Sequence, residues 1–349
     1  MKHETTSLPE SIASVEQLET LLSQPTDSVV DMFRRISGDV IVLGVGGKMG
    51  PTLARMVRRA TDAAGVKRRV IGVSRFGSGP LKAQLEAHGI STIACDLLDQ
   101  EQLNSLPDVP NVIYMAALKF GSTGNEARTW AMNSYLPGMV SQKYRRSRIV
   151  AFSTGNVYGL APVAQGGSLE TDTPNPIGEY AISCLGRERI FEHFSRTLNI
   201  PMSFIRLNYA TEMRYGVIVD MAQRVASGEP IDLTMGNCNA IWQADANAQS
   251  LLTLEAARTP PFVLNVTGPE ILSVRRVALQ IGALLGREVR FSGTEAPTSA
   301  VSNAQLSHRL YGYPRVSIEQ VIRWTADWVR RGGENIGKPT HFEARDGKY

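Results

Sequence analysis

One seven-residue segment constrains this chain more than any other: Gly44-Val45-Gly46-Gly47-Lys48-Met49-Gly50. It follows a short apolar run, Asp39-Val40-Ile41-Val42-Leu43, and opens a helical stretch from Pro51 to Ala64. In that stretch Leu53, Met56, Val57 and Ala60 share one face. A strand running through a glycine turn into a helix leaves backbone N–H groups uncovered at the helix N-terminus, where a pyrophosphate can approach. Glycine permits both the tight turn and the close approach. The segment therefore predicts a dinucleotide-binding loop built from Gly44, Gly46, Gly47, Lys48, Met49 and Gly50. A purely structural turn is the competing reading. The spacing of Gly44, Gly47 and Gly50 departs from the strict G-x-G-x-x-G pattern.

The rest of the chain repeats the same alternation. Apolar runs at 69–74, 91–96, 111–117, 148–153, 202–206 and 263–266 read as strands. Helical periodicity falls at 81–88, 100–106, 129–145 (despite Pro137), 179–198, 217–227, 274–285 and 318–330. Strands alternating with helices at this spacing predict an α/β fold with a doubly wound parallel sheet. Residues 1–37 read as a helical extension, with one helix at 15–22 capped by Ser14 and another at 28–36. It packs on the core or on another subunit. The tail from 332 is polar and glycine-rich, and is expected to wrap the surface.

Composition excludes several classes. Over 349 residues, 43% hydrophobic content supplies a sizeable core and rules out wholesale disorder. Cys95, Cys184 and Cys238 lie too far apart for a disulfide framework, and five isolated histidines complete no metal motif, so no metal is expected. The net charge is +4, and clusters such as Arg58-Arg59, Lys67-Arg68-Arg69 and Arg330-Arg331 are scattered without aromatic partners. They read as solvated helix ends, so no nucleic acid is expected as a partner. The first residues lack the pattern of a signal peptide, and no run reaches the roughly 18 apolar residues that span a bilayer. A cytoplasmic chain without membrane contact is expected.

The end of the second strand bears on the cofactor. An acidic residue there would bind the ribose 2′-hydroxyl of NAD. Here the chain reads Val73-Ser74-Arg75-Phe76. Ser74 and Arg75 suit a 2′-phosphate, which points to NADP(H), with NAD(H) the alternative. Arg75 as a plain exposed loop charge is the third reading.

Two further motifs follow: Ser153-Thr154-Gly155-Asn156-Val157-Tyr158-Gly159 after a strand, then Tyr180 in Gly178-Glu179-Tyr180-Ala181-Ile182-Ser183-Cys184. With the glycine loop, Asp96-Leu97-Leu98 and Ala116-Ala117, these resemble the extended short-chain dehydrogenase/reductase superfamily, in its NAD-dependent epimerase/dehydratase branch. The resemblance spans roughly 38–330. It implies a Rossmann domain over 38–210 and 241–268, and a smaller, mostly helical substrate lobe over 211–240 and 269–331. It also implies hydride transfer on a sugar, sugar acid or nucleotide sugar, and a homodimer built through helices near 129–145 and 179–198. Asp96, Leu97, Ala116, Ala117 and Tyr180 would line the cofactor. Thr154 and Tyr180 would handle a substrate hydroxyl proton. Asn208, after Arg206, resembles a family element in which one residue is missing here, and would face substrate.

The family places a lysine four residues after the tyrosine, where it binds the nicotinamide ribose and lowers the tyrosine pKa. This chain has Cys184. A cation about 4 Å from a tyrosine, at an effective dielectric of ~20, contributes roughly 4 kcal/mol, or about 3 pK units from a starting value near 10. Three readings remain. Another cation substitutes, with Lys119 after Ala117-Leu118 ahead of Arg187 on the helix of Tyr180, and Lys119 would then also touch substrate. The chemistry runs without a strongly activated tyrosine, or Cys184 itself acts. The chain binds cofactor without turnover.

Overall fold

A computed structural model describes residues 8–119, 121 and 124–348. Seven strands form one sheet: β1 (Val40–Leu43), β2 (Val70–Ser74), β3 (Ser91–Ala94), β4 (Asn111–Tyr114), β5 (Arg148–Thr154), β6 (Met202–Leu207) and β7 (Phe262–Val266). Their order is β7-β6-β5-β4-β1-β2-β3, and every neighbouring pair is parallel. The central strands are mostly apolar because helices cover both faces, whereas the edge strand β3 is partly exposed. Successive residues alternate between two cores: Val40 and Val42 face one, Ile41 and Leu43 the other.

The helices are α1 (Val15–Leu22), α2 (Asp27–Arg35), α3 (Gly50–Ala63), α4 (Leu81–Ala87), α5 (Gln100–Ser105), α6 (Glu126–Trp130), α7 (Leu136–Lys143), α8 (Gly178–Leu198), α9 (Val217–Ser227), α10 (Gln243–Ala256), α11 (Val274–Leu285), α12 (Gln305–Tyr311) and α13 (Ile318–Arg330). α3 and α10 cover the first core, and α5, α7 and α8 the second. α9, α11 and α13 pack on one another.

The expected single helix over 129–145 is instead α6, a π-helical turn Ala131–Tyr135, and α7. Proline cannot continue the i→i−4 ladder, and the wider turn absorbs the break at Pro137. The Leu136 N–H reaches back to the Ala131 carbonyl, five residues earlier. α10 has no counterpart among the expected helices. It is buried along nearly its whole length and rich in alanine, so it lacks the polar face that makes a helix periodic.

The N-terminal extension packs on its own chain. Leu18, Leu22, Val29, Met32 and Phe33 are fully buried against α3 and α10. Ser14 and Thr26 cap the two helices through Gln17 N–H and Val29 N–H. Glu19 bridges Arg55 at 3.1 Å and Arg214 at 2.6 Å. The tail is tied down more firmly than a surface wrap: Phe342 is buried, and Thr340 N–H donates to Asp220 at 2.7 Å.

Candidate active site

All the residues singled out on strand ends lie at the C-terminal edge of the sheet. Strand order reverses between β1 and β4, and a parallel sheet opens its ligand crevice at such a point. The glycine loop leaves β1 there. Gly44 has φ +86°, and a Cβ on it would lie 2.7 Å from the Ala116 backbone nitrogen. A Cβ on Gly46 would lie 2.5 Å from Ser74 Oγ, and one on Gly50 would strike the Val45 carbonyl. The loop, Ser74 and Ala116 thus interlock only with glycine at these positions. α3 starts with Met49 at its cap, no side-chain hydrogen bond on its first N–H groups, and Pro51 in its first turn. The N-terminus is left for an anionic group, so these residues fit the pyrophosphate of a dinucleotide.

Arg75 is exposed at the end of β2, and no carboxylate stands beside Ser74 in sequence. Asp96 sits in the turn after β3, where its Oδ1 accepts the Leu98 N–H at 3.1 Å, and Leu97 is buried beneath it. Ala117 is exposed after β4.

The other half of the sheet edge carries Lys119, Thr154, Tyr180 and Asn208. Thr154 ends β5, and its Oγ1 accepts the Asn156 N–H at 3.2 Å. Tyr180, in the first turn of α8, is buried in a small cluster with Val157, Tyr158 and Cys184. Lys119 Nζ stands 5.8 Å from the centre of the Tyr180 ring. Its loop is held by Asn133 in the π turn, whose amide accepts the Leu118 N–H at 2.9 Å and donates to the Leu118 carbonyl at 3.0 Å. Asn208 lies against Gly155; its side-chain Nδ2 donates to the Ala300 carbonyl at 3.0 Å, and its backbone carbonyl accepts the Thr267 hydroxyl at 2.8 Å.

Electrostatics separate the three candidates around the tyrosine. Cys184 is fully buried, and burial pushes its thiol pKa up against the pull of Arg187, the Tyr180 hydroxyl and Lys119. It remains a neutral thiol at physiological pH, which favours packing over a nucleophilic role. Arg187 is also buried, with Nη1 on the Phe152 carbonyl at 2.6 Å and Nη2 on Asn133 Oδ1 at 2.9 Å. Both its terminal nitrogens are bonded to the scaffold. Lys119 is pushed down to about 8 by burial, which the neighbouring Cys184 and Asp220 partly offset. Lys48, from the glycine loop, is pushed down to about 7 by burial and then by Lys119 and Lys338, with Asp220 opposing. Its Nζ lies 3.2 Å over the Tyr215 ring. The glycine loop and the β4 loop therefore place two ammonium groups in one electrostatic field.

Sequence reasoning missed two groups. Tyr215, Asp220 and Lys338 surround this field from distant segments, and nothing local in the sequence marks them. The other is a buried network beneath Tyr180. Arg206 pairs with Glu188 at 2.7 Å and donates to the Tyr158 hydroxyl at 2.8 Å; Ser153 Oγ reaches Glu188 at 2.5 Å, and the Tyr158 hydroxyl donates to Asn265 at 2.8 Å. An arginine inside the apolar strand β6 was the available signal, because a buried charge demands a partner.

Among the described residues, no cluster of His, Cys, Asp and Glu could hold a metal ion, and no helix is long and apolar enough to cross a membrane.

No curated protein sequence matches this chain. Solved structures share its fold. UDP-glucuronic acid 4-epimerase from Bacillus cereus superposes with a TM-score of 0.69 at 16% identity, over 84% of this chain and 99% of that one. dTDP-glucose 4,6-dehydratase from Bacillus anthracis, in complex with NAD, gives 0.70 at 17% identity over 84% and 96%. UDP-glucose 4-epimerase from Thermotoga maritima gives 0.68 at 19% over 84% and 99%. A model of the NAD dependent epimerase/dehydratase family matches residues 40–242, from the first strand and its glycine loop to the start of α10. With more than half its length matched, the chain belongs to the NAD dependent epimerase/dehydratase family.

Proposed function

We propose that this chain is an NAD(P)-dependent epimerase/dehydratase-type oxidoreductase that acts by hydride transfer on a sugar-bearing substrate, a nucleotide sugar first of all. The solved relatives include complexes with UDP-glucose, UDP-glucuronic acid and NAD, which supports that substrate class. The observation that carries the reading is Lys119, whose ammonium stands beside Tyr180 where Cys184 offers no charge. The bound dinucleotide supplies the hydride acceptor and donor. Tyr180 moves the substrate hydroxyl proton, Thr154 bonds the same oxygen, and Lys119 stabilises the tyrosinate. Burial makes that help larger than an exposed lysine would give.

The test is turnover of UDP-glucose, UDP-glucuronic acid and dTDP-glucose by cofactor-loaded protein, followed by product analysis and by nicotinamide absorbance. Lys119→Met is expected to lower turnover by about 100-fold or more with cofactor still bound. Full activity in that variant ends the role of Lys119. A second reading, a cofactor-binding protein without turnover, is favoured by the neutral Cys184. It gains if only Cys184→Lys turns over substrate.

Ser74 and Arg75, with no acid beside them, support a preference for NADP(H) over NAD(H). NADPH is expected to bind more tightly than NADH, and the reverse order in a fluorescence titration defeats the assignment. Between the sheet edge and the α9–α11–α13 cluster lies the proposed substrate crevice, with that cluster as the substrate lobe. Trp130, Tyr135 and Ile182 are 39%, 64% and 40% exposed along α6, the π turn and α8, which supports homodimerisation through this face.

A further inference from the structure

The family model begins at residue 40, so α1 and α2 stand outside it. α1 nevertheless reaches the glycine loop through a row of side chains. Glu19, in the middle of α1, lies between two guanidinium groups. One of its oxygens meets Arg55 of α3 at 3.1 Å, and the other meets Arg214 at 2.6 Å. Arg214 turns its Nε to Glu212 at 3.0 Å, and its backbone N–H donates to the same carboxylate at 2.7 Å. Charge therefore alternates along the row Arg55, Glu19, Arg214, Glu212, and all four side chains are largely buried. Ion pairs shielded from water are little screened, and their hydrogen bonds fix geometry as well as charge.

Arg214 belongs to a closed turn. The Glu212 N–H donates to the Tyr215 carbonyl at 2.9 Å, and the Thr211 hydroxyl donates to the same oxygen at 3.3 Å. The Arg214 carbonyl accepts the Ile336 N–H of the tail at 3.1 Å. Gly216 follows with φ +131°, and a Cβ on it would lie 2.2 Å from Thr211 Oγ1. The turn is thus tied to the extension by a side chain and to the tail by its backbone. It presents the Tyr215 ring to the glycine loop, with Lys48 Nζ 3.2 Å over the ring centre. An ammonium seated on an aromatic face is attracted by the ring quadrupole, more strongly out of water.

We infer that the N-terminal extension is part of the cofactor site: Glu19 is a positioning residue that, through Arg214, sets the Tyr215 ring against Lys48 and so holds the glycine loop in its binding shape. A loop held ready before the dinucleotide arrives loses less freedom on binding it. The inference rests on the dinucleotide half of the proposed function and not on its substrate.

Fluorescence titration of the full chain with NADPH and NADH tests it, in wild type, Glu19→Gln, Tyr215→Leu and the double variant. A second reading comes from the Lys48 ε-methylene signal in 13C-lysine-labelled protein, assigned with Lys48→Arg. Each single variant is expected to bind dinucleotide about tenfold more weakly. The double variant should bind no more weakly than the worse single one, because both act on one route. The Lys48 signal, shifted upfield by the Tyr215 ring in wild type, should move back in Glu19→Gln. Glu19→Asp, which keeps the charge on a shorter arm, should restore part of both effects, and it carries the same test if the glutamine variant does not fold. A lowered melting temperature is expected of any broken buried pair. A merely structural tie would lower it while leaving the Lys48 signal and the dinucleotide affinity where they are, and that result overturns the inference. Additive losses in the double variant, or a moved Lys48 signal at unchanged affinity, overturn it too. Wild type that binds neither dinucleotide overturns the proposed function and the cofactor role of Glu19 together.

Discussion

Lys48 and Lys119 show how two ordinary residues change character when a fold brings them together. Their ammonium groups sit at about 7 and about 8 because burial opposes charge on both, and because Lys119 and Lys338 repel Lys48. Near pH 8, Lys48 is mostly neutral and Lys119 about half charged. A dinucleotide pyrophosphate on the glycine loop favours the charged form of each and raises both pKa values. Cofactor binding at about pH 8 should therefore take up protons, while near pH 6, where both are already charged, it should take up almost none. Calorimetry in buffers of different ionisation heat reads this directly. A binding heat at about pH 8 that does not depend on the buffer would rule out both lysines as cofactor neighbours. The sequence exposed part of this: Lys48 lies inside the glycine motif, and Lys119 follows the fourth strand. Their depressed pKa values were not legible, because the field depends on Asp220 and Lys338, hundreds of residues away in the chain.

The N-terminal extension behaves as part of the core. α2 places Val29, Met32 and Phe33 on one face at helical spacing, and all three are fully buried. Phe33→Ala should cost about 3–5 kcal/mol, read as a lowered denaturant midpoint at unchanged slope. A change under about 1 kcal/mol would mean the extension is only loosely docked. Elements with a clear period were legible: α1, α9, α11 and α13 lie where the apolar spacing puts them, and the seven strands within a few residues of the apolar runs. The misses have different causes. α10 is buried on every side, so it shows no period. The π turn depends on how Pro137 is accommodated, and a proline can equally end a helix, kink it or widen one turn. Asn133, which pins the Lys119 loop, sits in that turn.

The largest scale was the least legible. Local patterns predicted a parallel sheet with helices on both faces, and the strand order confirms it. They were silent on where the tail packs, since that depends on contacts between segments far apart in sequence. The tail, which by composition reads as polar wrapping, buries Phe342 and ties α9 to the head of α8. The tail's position also has a consequence for biosynthesis. Domains fold progressively as a chain emerges, earlier segments first. Residues 332–348 follow every element they touch, so the sheet, the glycine loop and α8 can assemble on the ribosome before the last anchor at Gly178 exists. A chain cut just after α13 would lose the buried Phe342 and the contact at Gly178 together, and with them the tie between α9 and the head of α8.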